Sequence, residues 1–342
     1  MTGIRSFGFY VPQHRIKISD IATAWGKNPT DIEKGLGLIE KTVASRDEDS
    51  LTMAWQSASS ALQNGLVDIS DIRSVLFGSE TPVYAVNPTS SILAGMLGID
   101  ENYTAHDIEF ACKAGTAGLI SSLAFVQSGM GKTALVTAAD KATGKPGDAL
   151  EYSAAAGSVS FVVDTENVIA EVVASTSFTS DTPDFWRRSG EHYPTHAGRF
   201  TGQPAYFRHV AGATEKILAQ TQHKPTDFDH VIFHMPNGKF PVQIAQSLGF
   251  DVATQLTHSL VSPILGNSYS ACALMGLAAV LDVAKPGELI LLTSYGSGAG
   301  SDSFIFRVTD AILNHPQHQF KTMVEDKHYI DYITYRTYMK TF

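Results

Sequence analysis

Four side chains in this sequence have the types needed to hold and activate an acyl group. The first is Cys112, in the run Glu109-Phe-Ala-Cys-Lys-Ala-Gly-Thr-Ala-Gly118. That run has the composition of a strand end, a tight turn and the start of a closely packed helix. The positive field of a helix N-terminus favours a thiolate, and Lys113 adds positive charge if it points inward, so Cys112 is a candidate nucleophile near neutral pH. A lone cysteine is more often a buried structural residue, and Cys112 rises above that reading only through its company. Glu80 lies in Gly78-Ser-Glu80, His234 in Phe233-His-Met-Pro-Asn237 and Asn267 in Gly266-Asn-Ser-Tyr-Ser270. Singly these read as a solvated loop acid, a hydrogen-bonded core histidine and a turn residue. Together they supply a nucleophilic thiol, a carboxylate base, an imidazole donor and a carboxamide donor. That set can hold an acyl group, make a carbanion and stabilise oxyanions.

The elements that must position these groups form an α/β pattern. Short apolar runs at 74–78 and 134–139 read as buried strands, and 158–164 and 168–174 as neighbouring strands across a turn at Thr165, Glu166 and Asn167. The second half repeats the order, with strands predicted over 230–234, 288–295 and 303–308 and a helix over 242–248. A chain of 342 residues favours two units, here 1–165 and 166–342. The clearest internal echo lies between Phe110-Ala-Cys-Lys-Ala-Gly-Thr-Ala-Gly-Leu119 and Tyr269-Ser-Ala-Cys-Ala-Leu-Met-Gly-Leu277, each a cysteine turn opening a helix of small residues. Open α/β sheets place ligands at strand ends, where all four candidate groups fall.

Composition narrows the functional classes. With 44% hydrophobic and 17% charged residues the chain reads as an ordinary soluble protein, and a net charge of −9 without a Lys/Arg cluster argues against general nucleic-acid binding. The N-terminus lacks the apolar core of a signal peptide, which predicts a cytoplasmic location. Two cysteines cannot complete a four-cysteine zinc site, and a disulfide is not expected in a reducing compartment. Three motif fragments fail. Gly129-Met-Gly-Lys-Thr133 resembles a P-loop end, but Val126 stands where the first glycine belongs. Gly296-Ser-Gly-Ala-Gly300 is followed by a strand pattern and not by a dinucleotide-binding helix. Pro194 breaks the helix that would align Glu191, His192 and His196 on a metal.

In their order along nearly the whole chain, the segments resemble those of 3-hydroxy-3-methylglutaryl-CoA synthases, most closely the short archaeal-type enzymes of the mevalonate pathway. The landmarks are Gly78-Ser-Glu-Thr-Pro82, Phe110-Ala-Cys-Lys-Ala-Gly-Thr-Ala-Gly118, Pro146-Gly-Asp-Ala-Leu-Glu-Tyr152, Asp184-Phe-Trp-Arg187, Tyr206-Phe-Arg-His209, His234-Met-Pro236 and Gly266-Asn-Ser-Tyr-Ser270. The resemblance implies a thiolase-like duplicated fold of five αβαβα layers with two pseudo-twofold related halves. It also implies that Cys112 takes the acetyl group of acetyl-CoA, with backbone amides at Cys112 and near Ser297 around the thioester oxygen. Glu80 then removes a proton from the acetyl methyl, His234 polarises the ketone of acetoacetyl-CoA, and Asn267 orients it. Water finally releases the product, with no metal or redox cofactor.

One departure is the absence of an aromatic near Asp140-Lys-Ala-Thr143, where bacterial-type enzymes present a Tyr; Tyr152 is the substitute considered. For the CoA phosphates only Lys239 lies in a matching stretch, with Arg187, Arg188 and Arg208 as looser candidates. The family further implies a homodimer through the nucleophile half. It also implies a complex with acetoacetyl-CoA thiolase and a small zinc-bearing OB-fold scaffold protein, for which the Tyr-rich segment 329–338 suits an interface or an ordinary terminal strand. Cys272 is expected to be structural. The rivals are a ketoacyl-ACP synthase III type of decarboxylating condensation, which needs no Glu80, and a catalytically silent thiolase-fold scaffold subunit.

Overall fold

The computed structural model describes residues 1–339. Nine strands share one hydrogen-bonded sheet: β1 (Gly3–Tyr10), β2 (Ile72–Gly78), β3 (Thr104–Ile108), β4 (Thr133–Lys141), β5 (Ala156–Asp164), β6 (Ala170–Thr182), β7 (His230–Phe233), β8 (Leu289–Thr293) and β9 (Gly298–Val308). Their spatial order is β7-β8-β9-β6-β1-β5-β4-β2-β3. The first half contributes β3-β2-β4-β5-β1, in which β2 runs parallel to β3 and β4 while β5 is antiparallel to β4 and β1. The second contributes β7-β8-β9-β6, with β7 parallel to β8 and the other pairs antiparallel. Only Gly3 and Ile4, opposite Glu171 and Ala170, join the two sets. The halves are cousins, and the second has four strands where the first has five.

Six helices matter for the site: α1 (Ser50–Asn64), α2 (Ala114–Gln127), α3 (Arg208–Thr221), α4 (Phe240–Ser247), α5 (Cys272–Leu281) and α6 (Tyr332–Tyr338). All ten residues of α5 are buried, as expected of a helix apolar on every side. It packs against β1 and β5 of the first half and against β7 and β8 of the second. Helix α2 lies in the same central layer, and both helices feed one large core with Phe161, Phe304 and Phe306. Helix α1 covers β1, β4 and β5, and α3 covers β6, β8 and β9. This gives the αβαβα layering with two central helices.

Most predicted elements sit within a few residues of their expected limits, but three expectations change. The strand predicted over 168–174 runs from Ala170 to Thr182, because Ser175, Thr176, Ser177, Phe178 and Thr179 pair with β9 and not because of any apolar run. The Tyr-rich terminus ends in helix α6 and not in a strand; only His328 and Tyr329 are extended, paired with His14 and Arg15. Tyr335 of α6 is buried on Lys41, whose ammonium also bonds Ala154 O at 2.7 Å, so this face is part of the fold. Finally, the strand predicted over 303–308 already begins at Gly298, so β9 takes in part of 296–300, while Gly129 to Thr133 connects α2 to β4.

Candidate active site

Strand β2 ends at Gly78, and the next residues, Ser79, Glu80 and Thr81, turn over the start of α2. A Cβ at Gly78 would lie 2.6 Å from the carbonyl carbon of Ala114, so only glycine allows this strand end to touch the nucleophile helix. Cys112 sits in a one-turn 3₁₀ segment, Ala111–Lys113, that runs into α2. Ala111 has a φ of 45°, a left-handed conformation costly for a residue with a Cβ, and Glu109 Oε1 accepts its N–H at 3.0 Å. The turn brings Cys112 beside Glu80, close enough for the thiol and the carboxyl to shift each other's pKa.

Burial decides the protonation of this pair. Burial first, and the nearby charge of Asp140 second, hold the Glu80 carboxyl well above the usual carboxylate range, against the hydrogen bond from Cys112. Burial, and then the charge of Glu80, push the Cys112 thiol well above its ordinary value. Burial thus works against the thiolate that a helix N-terminus favours. Lys113 does point inward, but its ammonium lies 2.9 Å from Asp302 Oδ2, and a desolvated thiol beside an acid stays neutral. Oε1 of Glu80 has no hydrogen-bond partner among the described residues, which leaves it available to take a proton.

Asp140, at the end of β4, organises the loop that carries Glu80. Its Oδ1 accepts from Ser79 Oγ, Glu80 N, Thr81 N and Thr81 Oγ1, all between 2.7 and 2.9 Å, and Oδ2 accepts from Ser270 N at 2.9 Å. One buried carboxyl thus joins the base loop to the second half. The sequence reading passed over it because five hydrogen bonds from two distant segments leave no local signature.

The second half brings His234 from the end of β7. Its N–H continues the sheet ladder to Thr293 O, its carbonyl accepts the Tyr206 hydroxyl at 2.7 Å, and its ring lies against Tyr206 and Tyr295. Burial lowers its pKa to about 3, which keeps the imidazole neutral, and Nδ1 has no partner among the described residues. Asn267 Oδ1 accepts from Tyr269 N at 3.0 Å, leaving its NH2 as the donor end. Ser297 hydrogen-bonds Tyr295 on the 296–300 loop, and Asp184 braces that loop by accepting from Gly298 N and the Tyr295 hydroxyl.

Not every predicted residue joins this cluster. Tyr152 packs with Ile16, Ile18, Ile21 and Tyr335 in a separate core, whereas the aromatic residues beside Cys112 are Tyr269 and Phe185. Tyr269, whose hydroxyl donates to Thr143 O at 3.1 Å, was within the quoted Gly266-Asn-Ser-Tyr-Ser270 segment, yet only the folded chain sets it against the thiol. Arg187 reaches the site mouth, where Nη2 donates to Glu80 O at 2.8 Å. Lys239 is exposed at the start of α4, and Arg208 lies in a surface groove with Gln243 and Ser247. A cleft of about 530 Å³ beside Thr81 carries Arg46, Lys141 and Arg187 but also Asp47, Glu48, Asp49 and Glu191, so charge alone does not gather a polyphosphate there. His192 and His196 lie on no helix; His196 pairs with Asp148.

The internal echo also shifts. Tyr269 has a φ of 47°, matching Ala111, and its 3₁₀ turn, Tyr269–Ala271, runs into α5 as Ala111–Lys113 runs into α2. The counterpart of Cys112 is therefore Ser270, and Cys272 stands two residues farther on. Cys272 is buried, with its Sγ 3.5 Å from Met235 O.

Comparison with known proteins places this geometry. The description 3-oxoacyl-[acyl-carrier-protein] synthase III C terminal matches residues 218–308, the half that carries His234 and Asn267. The chain is 50% identical to hydroxymethylglutaryl-CoA synthase of Archaeoglobus fulgidus over 98% of its length and 97% of that protein. It is 48% identical to the enzyme of that name from Methanocaldococcus jannaschii over 99% of both. The solved structure of MvaS in complex with 3-hydroxy-3-methylglutaryl coenzyme A superposes with a TM-score of 0.90 at 24% identity, covering 99% of this chain and 92% of that one, which shows the shared fold. A duplicated thiolase-like fold and full-length identity near one half together establish that the chain belongs to the hydroxymethylglutaryl-CoA synthase family.

Proposed function

We propose that the protein condenses acetyl-CoA with acetoacetyl-CoA and water to give 3-hydroxy-3-methylglutaryl-CoA and free CoA, with Cys112 as the acetyl carrier. The observation that carries this reading is that Cys112 and Glu80 are buried close enough for each to shift the other's pKa, with the imidazole of His234 held neutral by burial at the end of β7. Glu80 takes the thiol proton as sulfur attacks the acetyl carbonyl, and that proton leaves on the CoA sulfur. The amides at Cys112 and in the 296–300 loop hold the thioester oxygen. Glu80 next removes a proton from the acetyl methyl, and its raised pKa brings it close to the basicity this step needs. His234 donates a hydrogen bond to the ketone oxygen of acetoacetyl-CoA, Asn267 orients that substrate, the new carbon–carbon bond forms, and the resulting alkoxide takes up the proton that Glu80 removed. Water then cleaves the Cys112 thioester. Every atom and charge is accounted for by these side chains and two thioesters, which supports a reaction without a resident metal or redox cofactor.

A decarboxylating condensation would make no use of a carboxyl against the thiol, and Glu80 is the feature that disfavours it. Labelled acetyl-CoA is expected to leave a base-labile label on Cys112, and acetoacetyl-CoA to convert it to product. No label, or turnover with malonyl-ACP instead, would sink the reading.

The assembly is part of the proposal. Among the described residues strand β3 is paired only with β2, so its other edge offers a second copy a continuous sheet and supports a homodimer through the nucleophile half. The mixed charge of the cleft, with Lys239 and Arg208 standing apart from it, supports shared anchoring of CoA by a small zinc-bearing OB-fold scaffold that also holds acetoacetyl-CoA thiolase. Among the described residues no helix is long and apolar enough to cross a membrane, and the reading places the enzyme in the cytoplasm.

A further inference from the structure

The chemistry above leaves the buried cation beside the nucleophile unused. Lys113, next to the nucleophile, is 5% exposed; its Nζ lies 2.9 Å from Asp302 Oδ2 and 4.1 Å from the centre of the Phe110 ring. Asp302 belongs to β9 of the other half and is 1% exposed. Its Oδ2 also accepts from Thr116 Oγ1 at 2.9 Å, in the first turn of α2, and its Oδ1 accepts from Ser177 Oγ at 2.8 Å, on β6. The main chain of Asp302 holds Ser294, just before the 296–300 loop, through Ser294 N to Asp302 O at 2.9 Å. That loop is seated on the same lysine: a Cβ at Gly296 would lie 2.5 Å from Phe110 O and 2.7 Å from Lys113 Cγ.

A buried ion pair adds little net stability over apolar residues of the same volume, because desolvation offsets most of the attraction. Its consequences are geometry and field. Here the pair joins the turn that carries the thiol, the first turn of the thiol's helix, and the strand that feeds the loop facing the thioester oxygen.

We propose that Lys113 and Asp302 are positioning residues: their pair fixes the Cys112 turn of one half to the 296–300 loop of the other, and Asp302 compensates the lysine charge so that the thiol depends on Glu80 to lose its proton. The neutral state of the thiol, raised by burial and by Glu80, agrees with this. The proposal rests on the reading of Cys112 as acetyl carrier, and its test separates the two.

The test compares wild type, Asp302→Asn and the double variant Lys113→Met/Asp302→Asn, as full-length protein. Alkylation of Cys112 by iodoacetamide, followed by mass spectrometry against pH, reads the thiol without any CoA substrate. Asp302→Asn uncovers the lysine charge and is expected to shift the alkylation profile about one unit to lower pH. The double variant, with neither charge, is expected to return to the wild-type profile. In both, transfer from labelled acetyl-CoA is expected to fall about tenfold or more in kcat with KM within about threefold, as for a displaced loop. An Asp302→Asn profile superimposed on wild type, or a double variant that transfers acetyl at the wild-type rate, overturns the proposal. Should Asp302→Asn not fold, the double variant decides alone. If wild-type Cys112 takes no acetyl group, the carrier reading fails, while the alkylation profiles still decide the charge compensation.

Discussion

The turns at Ala111–Lys113 and Tyr269–Ala271 have nearly the same backbone and opposite uses. Each begins with a left-handed residue, makes one 3₁₀ turn and opens a central helix. In the first, the next side chain is Cys112, a buried thiol beside the Glu80 carboxyl. In the second it is Ser270, whose hydroxyl donates to Gly78 O at 3.0 Å and whose N–H donates to Asp140 at 2.9 Å. The duplicated geometry presents a side chain at the centre of the molecule twice. Reactivity follows from whether that side chain is left with a proton acceptor or held in structural hydrogen bonds.

The strongest way to break the comparison is to give the first turn the side chain of the second. Cys112→Ser puts a hydroxyl where the thiol was, and product formation is expected to fall by about 10⁴-fold or more with no label from acetyl-CoA. Glu80→Gln keeps the thiol and removes the acceptor; labelled acetyl is expected to reach Cys112 more slowly and condensation to drop further still, about 10³-fold, as quenched-flow labelling would show. If the two steps fall equally, Glu80 acts only in the first.

Asp140→Asn acts on both turns at once, since Asp140 holds the Glu80 loop and Ser270. It is expected to lower kcat about tenfold and to destabilise the fold by about 2 kcal/mol in urea, because hydrogen bonds to a charged acceptor are lost or weakened. A loss of stability without a loss of rate would mean that Ser270 alone depends on it. The smallest effect is expected for Ser270→Ala, about 1 kcal/mol in stability with kcat near wild type.

The facing histidine gives a pH test. His234 has a pKa lowered to about 3 by burial against an unfolded value near 6.5, so the unfolded chain binds more protons between these limits. Its contribution to stability is full above about pH 6.5 and is lost as pH falls toward 3. Replacing it, as in His234→Asn, is expected to flatten the fall in urea midpoint between pH 6.5 and 4. An unchanged slope would show that the imidazole is charged in the folded protein.

Much of the arrangement was legible locally. Gly78-Ser-Glu80 and the run from Phe110 to Gly118 carry their own turn chemistry, and strand ends collect ligand groups in any open α/β sheet. Their order along the chain was enough for the family and fold that the comparisons then established. Less legible were contacts whose partners lie far apart in sequence. Tyr152 and Tyr269 are equally plausible aromatic residues on paper, and only packing sends one to the α6 core and the other to the thiol. The echo between cysteines matched letters, whereas the fold matches left-handed residues, two positions earlier.

The sequence by itself determined which groups exist and on which turns they stand, because glycine spacing, strand patterning and helix starts act over a few residues. The tertiary structure alone decided their ionisation. Helix field and Lys113 favour a Cys112 thiolate when read locally, but burial and the charge of Glu80 push the thiol the other way, because the cost of charge is set by everything packed around it.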